Sequence, residues 1–156
     1  MLFVVDSYYY GLGDTIKNYT AAFQAYDKAA NNDSPYAMCA LANMILKNEG
    51  GKPAIKSSPG FNVILAKKWF TRAIKQHRYP EAQYCYAKLL LQSREKNNIE
   101  EGVIQMNEAA KQGHIEALVI SGRYDRKENR IDEAMDKFRT GEVTLKNNPI
   151  YFKDQK

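Results

Sequence analysis

Apolar residues recur along this chain at steps of three and four, the spacing of one helix face, and no segment alternates with the period of two that marks a strand. Tyr19, Ala22, Phe23, Tyr26, Ala29 and Ala30 predict a helix over about 15–31, with Asp14 as its candidate cap. Ala37, Leu41, Met44 and Ile45 predict a partner over 34–48, entered through Ser34-Pro35 with proline at the first helical position. A segment dense in glycine and proline then predicts a longer loop over 48–60. Ala66, Trp69, Phe70, Ala73 and Ile74 share a face of a third helix over 61–78, and Pro80 opens a fourth over 80–93 with Ala82, Tyr86, Leu89 and Leu90 inward.

A third hairpin spans 98–126, with Ile99, Val103, Met106, Ala109 and Ala110 inward on its first helix, Gly113 ending that helix, and Ala117, Leu118, Ser121 and Tyr124 inward on its second. Asp125 to Asn129 reads as a polar turn. A last helix over 130–146 carries Ile131, Ala134, Met135, Phe138 and Leu145, and a tail follows over 147–156. The opening, Leu2 to Tyr10, reads as the second helix of a preceding hairpin, so the array is expected to start in mid-repeat, as a half-unit cap or as a piece of a longer solenoid.

One motif recurs within this pattern. Ala29-Ala30 is followed by Ala37, Ala109-Ala110 by Ala117, and Ala73-Ile74 by Ala82 one residue later. Repetition at a few tens of residues means helix pairs that cannot bury their apolar faces alone and must stack. The expected fold is all-α: an alpha-alpha solenoid of antiparallel helix hairpins, about three complete repeats plus partial terminal units, in a single domain over 1–156.

The segment EGVIQMNEAAKQGHIEALVISGRY at 101–124 resembles the Sel-one-like repeat of the tetratricopeptide superfamily: Ala109-Ala110, Gly113-His114, Ala117 and Gly122-x-Tyr124 stand where that pattern wants them. GLGDTIKNYTAAFQAYDKAA at 11–30 is similar to the family's inter-repeat turn and following helix, and AKKWFTRA at 66–73 keeps an aromatic pair as Trp69-Phe70. The resemblance covers about residues 8–140. The second unit departs from it, with His77-Arg78-Tyr79-Pro80 and no glycine in its turn, and the last helix is more like an ordinary tetratricopeptide first helix. The resemblance implies a non-catalytic adaptor that holds other proteins.

Composition agrees with a folded protein, since the 156 residues are 44% hydrophobic and 26% charged. Met1 to Val5 is too short an apolar stretch for a signal or a spanning helix, and no other segment reaches spanning length, so no membrane insertion is expected. Cys39 and Cys85 read as reduced core thiols of an intracellular, cytoplasmic protein.

The net charge of +5 lies wholly beyond residue 60, because residues 1–60 hold five lysines and five acids. Residues 61–80 contain Lys67, Lys68, Arg72, Lys75 and Arg78 and no acid. Lys68, Arg72 and Lys75 fall at steps of four and three, forming a cationic row on one helix. A solvated face is the plain reading of such a row. The functional one is a site for an acidic peptide or a chain-terminal carboxylate.

Eleven tyrosines are present, and Tyr8, Tyr9 and Tyr10, being consecutive, cannot all be buried, so at least one is expected at an N-terminal edge, packing where a neighbouring repeat is missing or contacting a partner.

No motif for phosphate loops, dinucleotides, serine hydrolysis or zinc hydrolysis is present, so no catalytic, metal or cofactor residues are assigned. His77 and His114 fall at helix-to-helix turns, where capping a carboxyl end accounts for them. The leading reading is a protein-interaction scaffold, acting as a monomer or within a larger assembly. Helical-repeat RNA binding is the alternative, prompted by a sequence pI of about 9.1. It is weakened by the modest net charge and by the acids interspersed from residue 81 onward.

Overall fold

The computed structural model describes residues 2–12, 16–50 and 59–146. Eight helices are described there and no strand: α1 (Leu2–Tyr10), α2 (Tyr19–Asn31), α3 (Pro35–Lys47), α4 (Pro59–His77), α5 (Pro80–Leu91), α6 (Lys96–Lys111), α7 (Ile115–Lys127) and α8 (Ile131–Lys146). The architecture is the all-α, hairpin-repeat class expected, and the chain packs as two compact units, Met1–Ala82 and Gln83–Lys156.

The repeat is a rule of side-chain size. A small residue, a large one four positions later and a small one three positions after that stand on the first helix of each hairpin: Ala22, Tyr26 and Ala29; Ala66, Phe70 and Ala73; Gly102, Met106 and Ala109. All but Ala29 are buried, and in that copy the adjacent Ala30 takes the buried place. Small residues let helices approach closely while the large residue between them fills the remaining space. Gly102 shows how close, since a Cβ there would lie 3.0 Å from Leu91 Cγ and 3.2 Å from Leu90 Cβ.

The turns repeat as well. In four of them, a residue with positive φ stands two places before the next helix begins: Asp33 (φ 68°), Arg78 (49°), Gly113 (84°) and Asn129 (63°). A side chain caps the helix that follows Asp33 and the helix that follows Gly113. Ser34 Oγ accepts from the Ala37 N–H at 3.3 Å, and His114 Nδ1 accepts from the Ala117 N–H at 3.3 Å. His114 therefore caps the amino end of α7, not a carboxyl end. The second turn keeps its shape without glycine by forcing Arg78 into the left-handed region that favours glycine.

In the first unit, α1 packs on α2, and α3 packs between α2 and α4. Its core is Val5, Ala22, Tyr26, Ala30, Met38, Leu41, Met44, Ile45, Ala66 and Phe70. Three expectations are corrected here. α2 begins at Tyr19 behind Asn18, whose Oδ1 accepts from the Ala21 N–H at 2.9 Å; Asp14 lies outside the described residues. α4 begins at Pro59, inside the expected loop, of which 51–58 lies outside the described residues. Tyr19 and Trp69 are not core: Tyr19 is exposed, and Trp69 is half-buried under the Arg72 guanidinium, 5.5 Å from its ring.

In the second unit, α7 packs between α6 and α8 over a core of Ala87, Met106, Ala109, Ala110, Ala117 and Leu118. Asp125 corrects the sequence reading. It belongs to α7 and is 3% exposed, because helix formation runs on to Lys127. Its carboxylate accepts from Arg130 Nη2 at 2.6 Å and from Lys137 Nζ, and Lys137 also donates to Ser121 Oγ at 2.7 Å and Asn107 Oδ1 at 3.1 Å. Ile99, expected inward, is exposed. The apolar side chains named for the last helix, and the tail over 147–156, lie outside the description.

Candidate functional site

The first unit holds a cavity of about 300 Å³ whose walls are largely aromatic. Tyr9 and Tyr10 of α1, Tyr26 of α2, Tyr36, Cys39, Ala40, Asn43, Met44 and Lys47 of α3, and the segment carrying Tyr79 and Glu81 line it. Helix periodicity explains this set. Tyr36, Ala40, Asn43 and Lys47 follow steps of four, three and four, one continuous stripe of α3 beside its core stripe.

The tyrosines are fixed by acids behind them. Asp6 accepts from the Tyr26 hydroxyl at 2.5 Å and from the Tyr36 hydroxyl at 2.8 Å. Burial first, and then the hydrogen bond to the Asp6 carboxylate, push both phenols well above the ordinary tyrosine range, so both hydroxyls stay protonated donors. Tyr9 donates to Glu49 Oε2 at 2.8 Å while Lys47 Nζ donates to the Tyr9 oxygen at 3.0 Å. Burial raises the Tyr9 phenol against the lowering contact of Lys47, and the hydrogen bond to Tyr9 raises the Lys47 ammonium against its own burial.

The rings touch edge to face, Tyr9 on Tyr10 at 4.8 Å and on Tyr19 at 5.4 Å between centroids, while Tyr26 and Tyr36 lie tilted at 6.2 Å. A preorganised aromatic cavity of this size is at the small end of ligand sites.

Of the sequence-predicted edge residues, Tyr9 and Tyr10 line the cavity, while Tyr8 is not among its lining residues and is 37% exposed. Tyr10 is 55% exposed, so the triplet does reach the surface. The sequence reading did not single out Asp6, Tyr36, Tyr79 or Glu81. Asp6 left a trace all the same: it is the one charged residue of the opening helix, among mostly apolar and aromatic neighbours, and an acid placed there calls for hydrogen-bond partners.

The basic row behaves less uniformly than its spacing implied. Lys68 and Lys75 are exposed on α4. Arg72 is engaged three times: over Trp69, with Gln76 Oε1 at 3.0 Å, and with Asp33 Oδ1 at 3.4 Å. Asp33 also meets His77 Nε2 at 3.3 Å, so the turn after α2 is tied to the end of α4. Asp33 is half exposed, and such a pair contributes little.

No protein-family model matches the chain, and no curated protein matches it by sequence. Solved structures do match in shape. A protective antigen present in uropathogenic Escherichia coli strains, with an SLR fold, superposes with a TM-score of 0.73 at 22% identity, covering 91% of this chain and 29% of that one. A Sel1 repeat protein from Oxalobacter formigenes gives 0.72 at 22% identity, covering 91% of this chain and 56% of the other. This chain thus spans from under a third to just over half the length of these neighbours. Among the described residues no helix is long and apolar enough to cross a membrane. The hairpin pattern, the repeated left-handed turns and these superpositions identify the fold as that of the Sel1-like repeat.

Proposed function

We propose that this chain is a non-catalytic protein-interaction module that receives a segment of a partner protein in the tyrosine-lined cavity of its first unit. The observation that carries this reading is the cavity itself: fixed aromatic rings with two χ angles each lose little entropy on binding, the property that makes tyrosine a good interface anchor. The charged groups behind the rings, Asp6, Glu49 and Lys47, bond to the tyrosine hydroxyls and so hold the rings in place. Lys68 and Lys75, with Arg72 between them, form a second candidate contact, suited to acidic residues of a partner.

The test is affinity capture from cell extract with three proteins of equal helicity: wild type, Ala40→Phe, and the triple variant Lys68→Glu, Arg72→Glu, Lys75→Glu. Ala40 lines the cavity without belonging to the core, so a phenyl ring there fills the site and leaves the fold intact. Loss of a protein partner with Ala40→Phe and its retention with the triple variant is the expected result. Retention with both variants would refute the cavity as the binding site, and capture of RNA in place of protein would refute the reading as a whole.

A further inference from the structure

The second unit, Gln83–Lys156, holds a groove of its own, about 400 Å³ in volume. Asn107, Ala110 and Lys111 of α6 and Lys137 and Thr140 of α8 line it, together with Leu118 of α7, the helix packed between those two. Two ammonium groups stand in this lining and no carboxylate does. Each has an acid as partner outside the lining: Lys137 donates to Asp125, and Lys111 to Glu108 Oε1 at 2.7 Å. Charge is therefore close to balanced, and the protons decide what the groove can hold.

Lys137 can only donate, so the Asn107 atom that faces it at 3.1 Å is the amide oxygen, which fixes the orientation of that side chain. Ser121 donates to the same oxygen and accepts from Lys137. Both lone pairs of Asn107 Oδ1 are thus in use, and so are the three Lys137 protons, on Asp125, Ser121 and Asn107. Thr140 gives its proton to the Asp136 carbonyl of its own helix. The Asn107 amide nitrogen is left with two protons and no hydrogen-bond partner among the described residues. Lys111 has two protons beyond the one it gives to Glu108, and that exposed pair, three residues apart on one helix, holds it only weakly. The repeat does not itself call for an amide here, since the residue after the large core side chain is Asp27 in the first hairpin and Thr71 in the second.

We infer that this groove receives a glutamate side chain of a partner segment, its carboxylate accepting from the Asn107 amide and the Lys111 ammonium and its methylenes lying on Ala110 and Leu118. A hydrogen bond to an ionised acceptor is about twice as strong as one between neutral groups, so a carboxylate gains more from these donors than a glutamine does. A chain-terminal carboxylate brings no stem to cover the apolar residues. The inference rests on the protein-interaction reading, but on neither the tyrosine-lined cavity nor the row on α4.

The experiment titrates the full chain with four peptides while the Asn107 side-chain amide and the Ala110 and Lys111 backbone amides are followed by NMR. Three are acetyl-Gly-Gly-X-Gly-Gly-amide with X as glutamate, glutamine or lysine, and the fourth is acetyl-pentaglycine with a free carboxyl end. The glutamate peptide is expected to bind about tenfold more tightly than the glutamine peptide, with pentaglycine and the lysine peptide weaker still. Asn107→Asp keeps an oxygen for Ser121 and Lys137 and turns the donor into an acceptor, so it should retain wild-type helicity and lose the glutamate preference. Lys111→Gln should weaken the glutamate peptide several-fold, whereas Lys96→Gln, at an exposed lysine of α6 outside the groove, should leave it unchanged. Equal binding of glutamate and glutamine, preference for pentaglycine, or equal losses in Lys111→Gln and Lys96→Gln overturns the inference. So does a glutamate peptide that moves none of these resonances; the peptides do not test the first unit, where the Ala40→Phe capture decides the protein-interaction reading separately.

Discussion

Asp125 gives the sharpest test of how the second unit is held together. Its side chain is 5% exposed and accepts from Lys137 and Arg130, whose side chains are 26% and 47% exposed. Removing one member of a fully buried pair costs about 3–5 kcal/mol, because the survivor keeps its charge and loses its partner. In Asp125→Asn the survivors are cations that reach water, and Lys137 keeps Ser121 and Asn107 as acceptors, so the loss should fall lower, at about 2–3 kcal/mol. Lys137→Met leaves the carboxylate with Arg130 and should cost somewhat less; Arg130→Gln should fall well short of both. With a urea slope of about 1–3 kcal/mol per molar, the Asp125→Asn midpoint should drop by roughly 1–2 M, measured by circular dichroism. Although burial alone would raise the Asp125 carboxyl, the hydrogen bonds from Lys137 and Arg130 hold it below its ordinary value of 3.8. The unfolded chain then takes up this proton first as pH falls. The stabilisation is complete above about pH 5 and is lost below about pH 4, as pH drops toward the folded value. Asp125→Asn should therefore flatten the acid limb of the stability curve. A midpoint shift smaller than that of Arg130→Gln, or an unchanged acid limb, would refute the claim that this network holds α7 and α8 together.

Three further outcomes follow from the turns and the tyrosines. Gly113→Ala meets no atom within 4 Å and should cost only the left-handed conformation, about 1 kcal/mol, whereas Gly50→Ala, with φ +70° and a Cβ 2.0 Å from the Tyr19 carbonyl oxygen, should cost at least twice as much in parallel urea melts. Arg78→Gly removes the same kind of strain at φ 49° and, after the entropy a glycine adds to the unfolded chain, should raise stability by up to about 1 kcal/mol; a loss of stability would mean that the Arg78 side chain holds the turn. Tyr26 and Tyr36 have folded values above their unfolded value of 10.0, so their contribution is full below pH 10 and is lost as pH rises, by about 1.4 kcal/mol per pH unit for each. Tyrosinate absorbance should accordingly leave a fraction of the rings un-ionised until the helices melt, a fraction that shrinks in Tyr36→Phe.

The helices were legible because their signal is repetitive. Ala22, Tyr26 and Ala30, or Gly102, Met106 and Ala109, are forced into place by helix geometry and close packing, and both act locally. Boundaries were less legible where capping decided them. Asn18 starts α2 by accepting one hydrogen bond, a choice that spacing alone does not make over Asp14. Asp125 was read as turn because acids are usually solvated, and its cation on the next helix, Lys137, lies twelve residues away, beyond the reach of any local pattern. The cavity was the least legible part. Tyr9 and Tyr10 drew notice as a cluster, but Asp6, Glu49 and Glu81 gain their meaning only when α1, α3 and the segment after α4 meet. Trp69 shows the converse error, since an aromatic at a core spacing can sit at the edge of the buried stripe and be covered by an arginine.

The repeat itself indicates where specificity can reside. Positions that recur in all three hairpins, such as Ala22, Ala66 and Gly102 or Ala37, Ala82 and Ala117, are buried and have no surface to offer a partner. The residue just before the second alanine of each hairpin varies: Tyr36, Glu81 and Glu116 occupy that one register. Two of them, Tyr36 and Glu81, line the same cavity, one supplying a ring and the other a carboxylate. At Glu81 a change of residue type reaches the cavity without touching the alanine core. An exchange at this register therefore separates binding from folding: Glu81→Tyr would leave the alanine core intact, remove the carboxylate and add a ring. Retained stability with loss of the partner that the wild-type chain captures is the expected result. Loss of folding would instead place this register in the scaffold and overturn the division between the two.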